Sequence, residues 1–162
     1  MRTVAVNRTV GNVPPPLQAF YGLDQLDILL SESDYVVITL PTAPGTRGLI
    51  DVHKFDLMKS EAVIVNVGRA PVIVEEDLYN ALAEKRIGGA IIDVWYGYPT
   101  PEDPERKPSH YPIWELDNVI MTPHCSSRSV VSRERRWMTV PRNLDHLARR
   151  EPLENIAFQG KA

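Results

Sequence analysis

The sequence predicts an α/β fold built on a doubly wound parallel sheet. The first observation is a set of five short apolar runs, each of strand length. The second is that these runs are continuously apolar and rich in β-branched residues, which is typical of strands buried on both faces of a parallel sheet. The third is that helical patterns lie between the runs, as the right-handed crossovers of a parallel sheet require.

The apolar runs predict the strands, and the segments between them predict the helices. The strand candidates are TVAVN (3–7), YVVITL (35–40), AVIVNV (62–67), GAIIDV (89–94) and NVIMTP (118–123). The helix candidates are LDQLDILLSES (23–33), VHKFDLMKS (52–60) and EEDLYNALAEKR (75–86). In the last helix, Leu78, Ala81 and Leu82 share one face, and Gly88 is expected to stop the helix.

Residues 127–162 follow a different pattern and are predicted as a helical segment, separate from the sheet domain of residues 1–126. The stretch 127–151 has helical periodicity but contains Pro141, which removes a backbone donor and clashes with the preceding turn. We therefore expect two helical pieces whose apolar side chains face a core. These side chains are Trp137, Met138, Leu144 and Leu147.

Composition restricts the classes of function. The chain has 162 residues, enough for one domain with a core, and its net charge of −3 gives no reason to expect a nucleic-acid partner. No apolar run approaches the roughly 20 residues that span a bilayer, and the N-terminus lacks a signal-peptide pattern, so a cytoplasmic protein is expected. The single cysteine, Cys125, and four dispersed histidines predict neither a disulfide nor a metal site.

Polar residues stand at the ends of three predicted strands. They are Arg69, Asp93 and His124, and the carboxyl ends of parallel strands are where α/β proteins bind ligands. Arg69 is either a solvated loop residue or a guanidinium fork for a carboxylate, and His124 is either structural or catalytic. A nucleophile pair of Cys125 and His124 is disfavoured, because adjacent side chains of an extended segment point to opposite faces.

Three segments carry a family resemblance: SDYVVITLPTAPGTRGLID, LMKSEAVIVNVGRAPVIVEEDLYNALAEKRIGGAIIDVW and YPIWELDNVIMTPH. In this order they resemble the NAD(P)-binding domain of D-isomer-specific 2-hydroxyacid dehydrogenases, over residues 3 to 155. The resemblance implies that residues 1–126 are a partial Rossmann-like domain and that residues 127–162 return towards a substrate domain. It implies hydride transfer between NAD(P)H and a small 2-oxo or 2-hydroxy acid, such as glyoxylate or hydroxypyruvate.

The resemblance also implies roles for individual residues. Arg69 would bind the substrate carboxylate and carbonyl, His124 would be the general acid/base, and Asp93 would contact the nicotinamide carboxamide. Further cofactor contacts are implied for Leu40, Pro41, Val67, Gly68 and Ser127. A 2-oxo acid needs a cation at its carboxylate and a proton at its ketone oxygen, so this set of residues is chemically consistent.

Tyr98 departs from the family pattern. Most members carry a glutamate at this position, just before a proline, and the glutamate holds the catalytic histidine protonated. A tyrosine hydroxyl can hydrogen-bond an imidazole but supplies no negative charge near neutral pH. We therefore expect Tyr98 to be a catalytic partner that leaves His124 less readily protonated, unless Tyr98 only packs in its aromatic loop. Other acids on the same loop are Glu102, Asp103 and Glu105.

The residues after the first strand bear on the choice of cofactor. NAD-binding relatives usually carry an aspartate there, which accepts a hydrogen bond from the ribose 2′-hydroxyl. Here the stretch reads Asn7-Arg8-Thr9, so a negative charge is dropped and a positive one is added. This predicts NADP(H); the alternative is NAD(H), with Arg8 as a solvated loop residue.

The glycine-rich turn G-x-G-x-x-G, which holds the cofactor pyrophosphate in this family, has no counterpart in the sequence. The first βα unit is therefore expected to be absent, with its strand missing between 3–7 and 62–67. Alone, the chain is expected to bind cofactor poorly and to turn over nothing measurable.

A non-catalytic regulatory module is the alternative function, and a flavodoxin-like domain would leave the three strand-end residues unexplained. A homodimer is expected for the full-length enzyme.

Overall fold

The computed structural model describes residues 1–8 and 15–156. The chain divides into two compact units, Met1–His124 and Cys125–Ala162, of which the first holds every strand of the described residues. Thr9, which belongs to the predicted cofactor-selecting stretch, lies outside the described residues. Residues 157–162 of the predicted C-terminal segment do so as well.

The first unit contains two parallel sheets. Strand β1 (Val4–Val6) pairs with β2 (Ala19–Tyr21), and the second sheet has the order β3-β4-β5-β6. Its strands are β3 (Tyr35–Ile38), β4 (Val63–Asn66), β5 (Gly89–Ile92) and β6 (Val119–Met121). The five predicted strands are thus confirmed. Strand β2 was not predicted, because its three residues are too few to show a pattern.

Three helices of the first unit lie where they were predicted. They are α1 (Leu26–Glu32), preceded by a 3₁₀ turn at Leu23–Gln25, then α2 (Val52–Leu57) and α3 (Glu75–Ala83). Further 3₁₀ turns occur at Ala70–Val72 and Ile113–Glu115. Helix α2 begins where the Asp51 side chain accepts a hydrogen bond from the Lys54 backbone, a common helix cap. Among the described residues, no helix is both long and apolar enough to cross a bilayer.

The expectation that Gly88 stops α3 is wrong. The helix ends at Ala83, and Lys85 adopts the left-handed backbone conformation, with a φ of 55°, in the turn that follows. Gly88 is needed for another reason: a Cβ added there would lie 2.6 Å from the carbonyl oxygen of Glu61. Gly88 therefore allows close contact with the Glu61 backbone and does not end α3, which stops five residues earlier.

The core lies between one face of the larger sheet and the three helices. Alternate strand residues such as Val36 and Ile64 are buried there, together with Leu30, Phe55 and Leu82 of the helices. Burying each aliphatic or aromatic side chain of this size contributes about 1.5–3 kcal/mol. The predicted apolar face of α3 is confirmed, since Leu78, Ala81 and Leu82 are all buried.

Strand β4 lies inside the larger sheet, which corrects the expected position of the missing strand. Val65 of β4 is paired with Val37 on one side and with Ile91 on the other. The expected gap beside residues 62–67 is therefore wrong, because the order of strands in a sheet does not follow from their order in sequence. Within the described residues, the unpaired edge nearest β1 belongs to β3. A cavity of about 600 Å³ is lined by residues of β1, α1 and β3.

The second unit contains one long helix, α4 (Val130–Arg149), which corrects the expectation of two helical pieces. Pro141 lies inside α4, so the helix lacks the hydrogen bond that residue 141 would donate but continues for eight more residues. The Ser129 side chain caps its start by accepting a hydrogen bond from Ser132 N–H. The expected core positions are also wrong, since these α4 side chains are exposed: Trp137, Met138, Leu144 and Leu147.

The long loop between β5 and β6 is tied to α3 by Glu75 and His110. Glu75 Oε1 accepts a hydrogen bond from His110 N–H (2.7 Å), and Oε2 lies 2.9 Å from His110 Nδ1. Burial opposes ionisation of the Glu75 carboxyl, but the hydrogen bonds from His110 and Ser109 outweigh it and lower its pKa. This carboxylate therefore stabilises the loop that leads to β6.

Replacing Glu75 with glutamine is expected to lower the free energy of unfolding at neutral pH by about 1 kcal/mol. Because the pKa of Glu75 is lowered in the folded state, the contribution is present above the unfolded pKa of about 4.3 and is lost as the pH falls through the folded pKa. Urea denaturation at neutral pH and near pH 3 measures both values. Glu61→Gln is the control, and an equal loss in Glu75→Gln at both pH values would contradict the expectation.

Candidate active site at the carboxyl ends of the strands

The four strands of the larger sheet end side by side. The backbone ladder continues past the strand ends through three hydrogen bonds: Val67 N–H to Ile38 O (3.2 Å), Asp93 N–H to Asn66 O (3.0 Å) and Thr122 N–H to Ile92 O (2.9 Å). Because all four strands are parallel, the residues that follow them lie along one edge. The structure thus places Leu40, Arg69, Asp93 and His124 at that edge, in the order of the strands.

The turn that carries Arg69 is fixed by Asn66. This residue is buried; its Oδ1 accepts a hydrogen bond from Gly68 N–H (3.1 Å), and its Nδ2 donates to Arg69 O (3.2 Å). Arg69 itself is exposed, and its Nη1 donates to Gly68 O at 2.7 Å. Asn66 was not predicted from the sequence, although an amide at the end of an apolar run indicates a buried polar residue that holds a turn.

The turns after β3 and β4 are in backbone contact. A Cβ added to Gly68 would lie 2.7 Å from Leu40 O, so no side chain fits between them. The predicted cofactor contacts Leu40, Pro41, Val67 and Gly68 therefore belong to two adjacent turns. Their cofactor contacts stay predictions.

Asp93 is buried at the end of β5, with 1% of its surface exposed. Thr122 Oγ1, at the end of β6, donates a hydrogen bond to Asp93 Oδ1. Thr122 was not singled out from the sequence, because threonine is common in strands and no local pattern shows its partner. The predicted contact of Asp93 with a nicotinamide carboxamide stays a prediction.

The structure brings Tyr98 and His124 together. Tyr98 Oη lies 3.0 Å from His124 Nδ1, and the ring centroids are 5.6 Å apart with an interplanar angle of 36°. Trp95 N–H donates to the same Tyr98 oxygen at 2.9 Å. Among the described residues, no carboxylate forms an ion pair with His124. Tyr98 therefore does more than pack in its loop, while its catalytic role stays a prediction.

The loop that carries Tyr98 is anchored on its buried side. Tyr96 Oη donates to Ile73 O at 3.1 Å, and burial raises the pKa of this tyrosine. Gly97 lies against the backbone of Lys107, since an added Cβ would come within 2.4 Å of that carbonyl oxygen. Both Tyr96 and Gly97 donate their N–H groups to Pro108 O. These contacts fix the backbone immediately before Tyr98.

The remaining predicted residues follow a strand of the smaller sheet or belong to the second unit. Asn7 and Arg8 are exposed after β1, where Asn7 Oδ1 accepts a hydrogen bond from Arg8 N–H at 2.7 Å. Ser127 belongs to the second unit, where its carbonyl accepts a hydrogen bond from Ser132 Oγ, so its cofactor contact stays a prediction.

The cavity beside β1 reaches Leu40 but is not lined by Arg69 or His124. Residues 1–8 and 15–156 contain no group of three side chains that could hold a metal.

Comparisons with known proteins agree with the fold. The model of the D-isomer specific 2-hydroxyacid dehydrogenase NAD binding domain matches residues 1–126. A glyoxylate reductase from Thermofilum pendens is 38% identical over 119 residues, which cover 74% of this chain and 33% of the relative. A D-isomer specific 2-hydroxyacid dehydrogenase family protein from Aeromonas salmonicida superposes with a TM-score of 0.80 at 30% identity, covering 98% of this chain and 48% of that one.

A second solved structure is similar over the same part. It is an NADPH-dependent glyoxylate/hydroxypyruvate reductase from Sinorhizobium meliloti in complex with NADP and sulfate, with a TM-score of 0.77 at 26% identity. The match covers 95% of this chain and 47% of that one, so this chain spans about half of each solved relative. The predicted Rossmann-like α/β fold and the family resemblance are confirmed. The chain belongs to the D-isomer-specific 2-hydroxyacid dehydrogenase family, whose NAD-binding domain its residues 1–126 match.

Proposed function

We propose that this chain is part of an oxidoreductase that transfers hydride between NAD(P)H and a 2-oxo or 2-hydroxy acid, such as glyoxylate or hydroxypyruvate. The observation that carries the proposal is that Arg69, Asp93 and His124 follow three neighbouring parallel strands at one sheet edge. The names of the similar glyoxylate and hydroxypyruvate reductases support it. A cytoplasmic location and a homodimer of the full-length enzyme stay predictions.

The residues at this edge fit the nicotinamide end of a cofactor. Asp93 would accept a hydrogen bond from the nicotinamide carboxamide, and the adjacent Leu40 and Gly68 turns would line the cofactor. A bound nicotinamide supplies the hydride. The sequence has no G-x-G-x-x-G turn for the pyrophosphate, so the chain's own residues account for part of the cofactor site.

The chemistry of the substrate suggests a role for each of the two exposed residues, Arg69 and His124. A guanidinium presents parallel N–H donors that match a carboxylate, so Arg69 would bind and orient the 2-oxo acid. When the carbonyl carbon receives hydride, negative charge develops on the carbonyl oxygen and a proton is needed there. An imidazole has a reference pKa near neutrality, which suits His124 to give that proton in reduction and to take it back in oxidation.

A hybrid enzyme tests the proposal. This chain would replace the matched 119-residue segment of the Thermofilum pendens glyoxylate reductase, and oxidation of NADPH or NADH would be followed with glyoxylate and with hydroxypyruvate. The expected result is turnover by the hybrid and none by this chain alone. A folded hybrid with a cooperative thermal transition but no turnover on either substrate would contradict the proposal.

NADP(H) is the proposed cofactor, with NAD(H) as the alternative. Exposed Arg8 supplies a positive charge after β1, and Asn7 supplies no negative charge to repel a 2′-phosphate. A similar solved structure contains NADP.

Replacing Arg8 with alanine in the hybrid is expected to raise KM for NADPH by about 10- to 100-fold, since a charge-assisted hydrogen bond contributes roughly 1.5–3 kcal/mol. KM for NADH should change little, because NADH has no 2′-phosphate. Arg2→Ala, on the same chain segment but paired with Glu32, is the control. Unchanged KM values for both cofactors in Arg8→Ala would favour the solvated-loop interpretation and NAD(H).

A non-catalytic regulatory module is the second candidate, and Tyr98, at the position where most of the family carries a glutamate, favours it. Such a module would need the fold and a ligand surface but no proton donor. Turnover by the hybrid that depends on both Arg69 and His124 would exclude it. A folded hybrid that binds NADPH without turnover would support it.

A further inference from the structure

We propose that Tyr98 donates its hydroxyl proton to His124 Nδ1 and thereby holds the neutral imidazole in the tautomer that carries hydrogen on Nε2. Tyr98 would then be a positioning residue that acts through His124. The inference deepens the proposed function and, for its catalytic consequence, rests on it. It also revises the expectation of a catalytic tyrosine to a more specific role.

The direction of the hydrogen bond follows from the third partner. A phenol has one hydrogen to donate and can accept at its oxygen, whereas a backbone N–H can only donate. Because Trp95 N–H donates to Tyr98 Oη at 2.9 Å, the hydroxyl hydrogen is available for His124 Nδ1 at 3.0 Å. Accepting a hydrogen bond polarises the O–H group and strengthens its donation, since hydrogen bonds in a chain reinforce one another.

The opposite arrangement is chemically weaker. In it, Nδ1–H would donate to Tyr98 Oη, and the oxygen would accept two hydrogen bonds while its own hydrogen turned to solvent. An unprotonated imidazole nitrogen is a strong acceptor, whereas the oxygen of a neutral phenol is a weak one because its lone pairs are delocalised into the ring. The O–H to Nδ1 direction therefore pairs the better donor with the better acceptor.

Four residues form a closed ring of contacts that holds this geometry. Trp95 contacts Tyr98 through its backbone, and its indole Nε1–H donates to Thr122 O at 2.9 Å. His124 N–H also donates to Thr122 O, at 3.0 Å. Trp95 is buried, so its position is fixed by the core. The ring of Trp95, Tyr98, His124 and Thr122 leaves the imidazole little freedom to turn away from Tyr98.

The arrangement lets a neutral histidine act as the acid in reduction. A new C–H bond forms from the hydride electron pair, and the π electrons of the carbonyl form an O–H bond with the proton from Nε2. As Nε2 loses its proton, Nδ1 takes the Tyr98 proton, so the imidazole stays neutral. The Trp95 N–H stabilises the Tyr98 oxygen, which then takes its proton back from Nδ1 while Nε2 of the exposed His124 takes a proton from water, so the starting tautomer is restored. No reactant beyond the reduced nicotinamide, the oxo acid and water is needed.

Nitrogen-15 NMR of the full 162-residue chain tests the inference without cofactor or substrate. At mildly alkaline pH, long-range ¹H–¹⁵N spectra show which imidazole nitrogen carries hydrogen, and His124→Asn identifies the signals among the four histidines. We expect hydrogen on Nε2 and a coupling across the hydrogen bond between the Tyr98 hydroxyl proton and Nδ1. Hydrogen on Nδ1 of His124 would overturn the proposal.

The Tyr98→Phe variant shows whether the Tyr98 hydroxyl sets the tautomer of His124 or whether the imidazole prefers that tautomer by itself. Loss of the hydroxyl is expected to increase the ratio of the Nδ1–H to the Nε2–H tautomer by about 2- to 10-fold, the effect of one hydrogen bond. Tyr79→Phe, whose ring stacks on Tyr111, is the matched control and should change nothing at His124. An unchanged tautomer ratio in Tyr98→Phe would overturn the inference. Because neither measurement needs turnover, failure of the proposed reductase activity would be seen separately in the hybrid enzyme.

Discussion

Replacing His124 with asparagine is expected to lower kcat of the hybrid enzyme by about 10²- to 10⁴-fold, the usual contribution of a positioned general acid/base. Asparagine is the informative choice because His124 has a φ of 53°, in the left-handed region that asparagine tolerates better than alanine does. The turn after β6 would thus be kept while the imidazole is removed. Steady-state rates with saturating NADPH and glyoxylate measure the effect.

The matched control is His53→Asn. His53 is an exposed histidine within α2, remote in sequence from the strand ends, so its replacement should leave kcat unchanged. Thermal unfolding of both variants would show that any loss of rate is not a loss of folded protein. If His124→Asn keeps more than about a tenth of the rate, His124 is not the proton donor.

Replacing Arg69 with alanine is expected to lower kcat/KM for glyoxylate by roughly 30-fold to several thousand-fold. This range corresponds to the 2–5 kcal/mol typical of removing one partner from a close charge pair. Most of the change should appear in KM for the oxo acid, while KM for NADPH should stay constant. Lysine should restore part of the activity, because it keeps the charge but not the parallel donors of the guanidinium.

A substrate without a carboxylate provides the sharpest comparison for Arg69. Reduction of glycolaldehyde, in which a hydroxymethyl group replaces the carboxylate of glyoxylate, should be slow in the parent hybrid and little affected by Arg69→Ala. Arg135→Ala, an exposed arginine of α4, is the protein control. An equal fall in rate for both substrates in Arg69→Ala would mean that Arg69 supports the turn and does not bind the carboxylate.

Much of the fold could be predicted because its strands are buried. The continuously apolar runs that became β3, β4 and β5 left few alternatives to a parallel sheet. The order of the strands in the sheet could not be predicted, because it depends on pairing between segments that are far apart in sequence. The predictions for Gly88 and Pro141 were wrong because both rested on local rules that treat these residues as helix breakers. Gly88 instead allows a close contact with Glu61, and α4 continues through Pro141.

The strand-end residues of the site could be predicted from topology together with the family resemblance, because parallel strands gather their ends at one edge. The residues that hold the site in shape could not. Asn66, Trp95 and Thr122 act through hydrogen bonds to partners whose positions emerge only on folding. Tyr98 was noticed because it departs from the family pattern, but the Trp95 N–H that determines the direction of its hydrogen bond leaves no trace in the sequence.

The open edge of β3 affects how this chain behaves in solution. Within the described residues, β3 pairs on one side only, and its Tyr35 and Val37 are 68% and 59% exposed. An apolar strand with unpaired backbone groups is a template for any other strand that meets it. A complementary strand would cap this edge, whereas copies of the chain left without one would add to each other. The solubility of the chain would then depend on how much of the complementary strand is present, and on when it is made, more than on the stability of the fold.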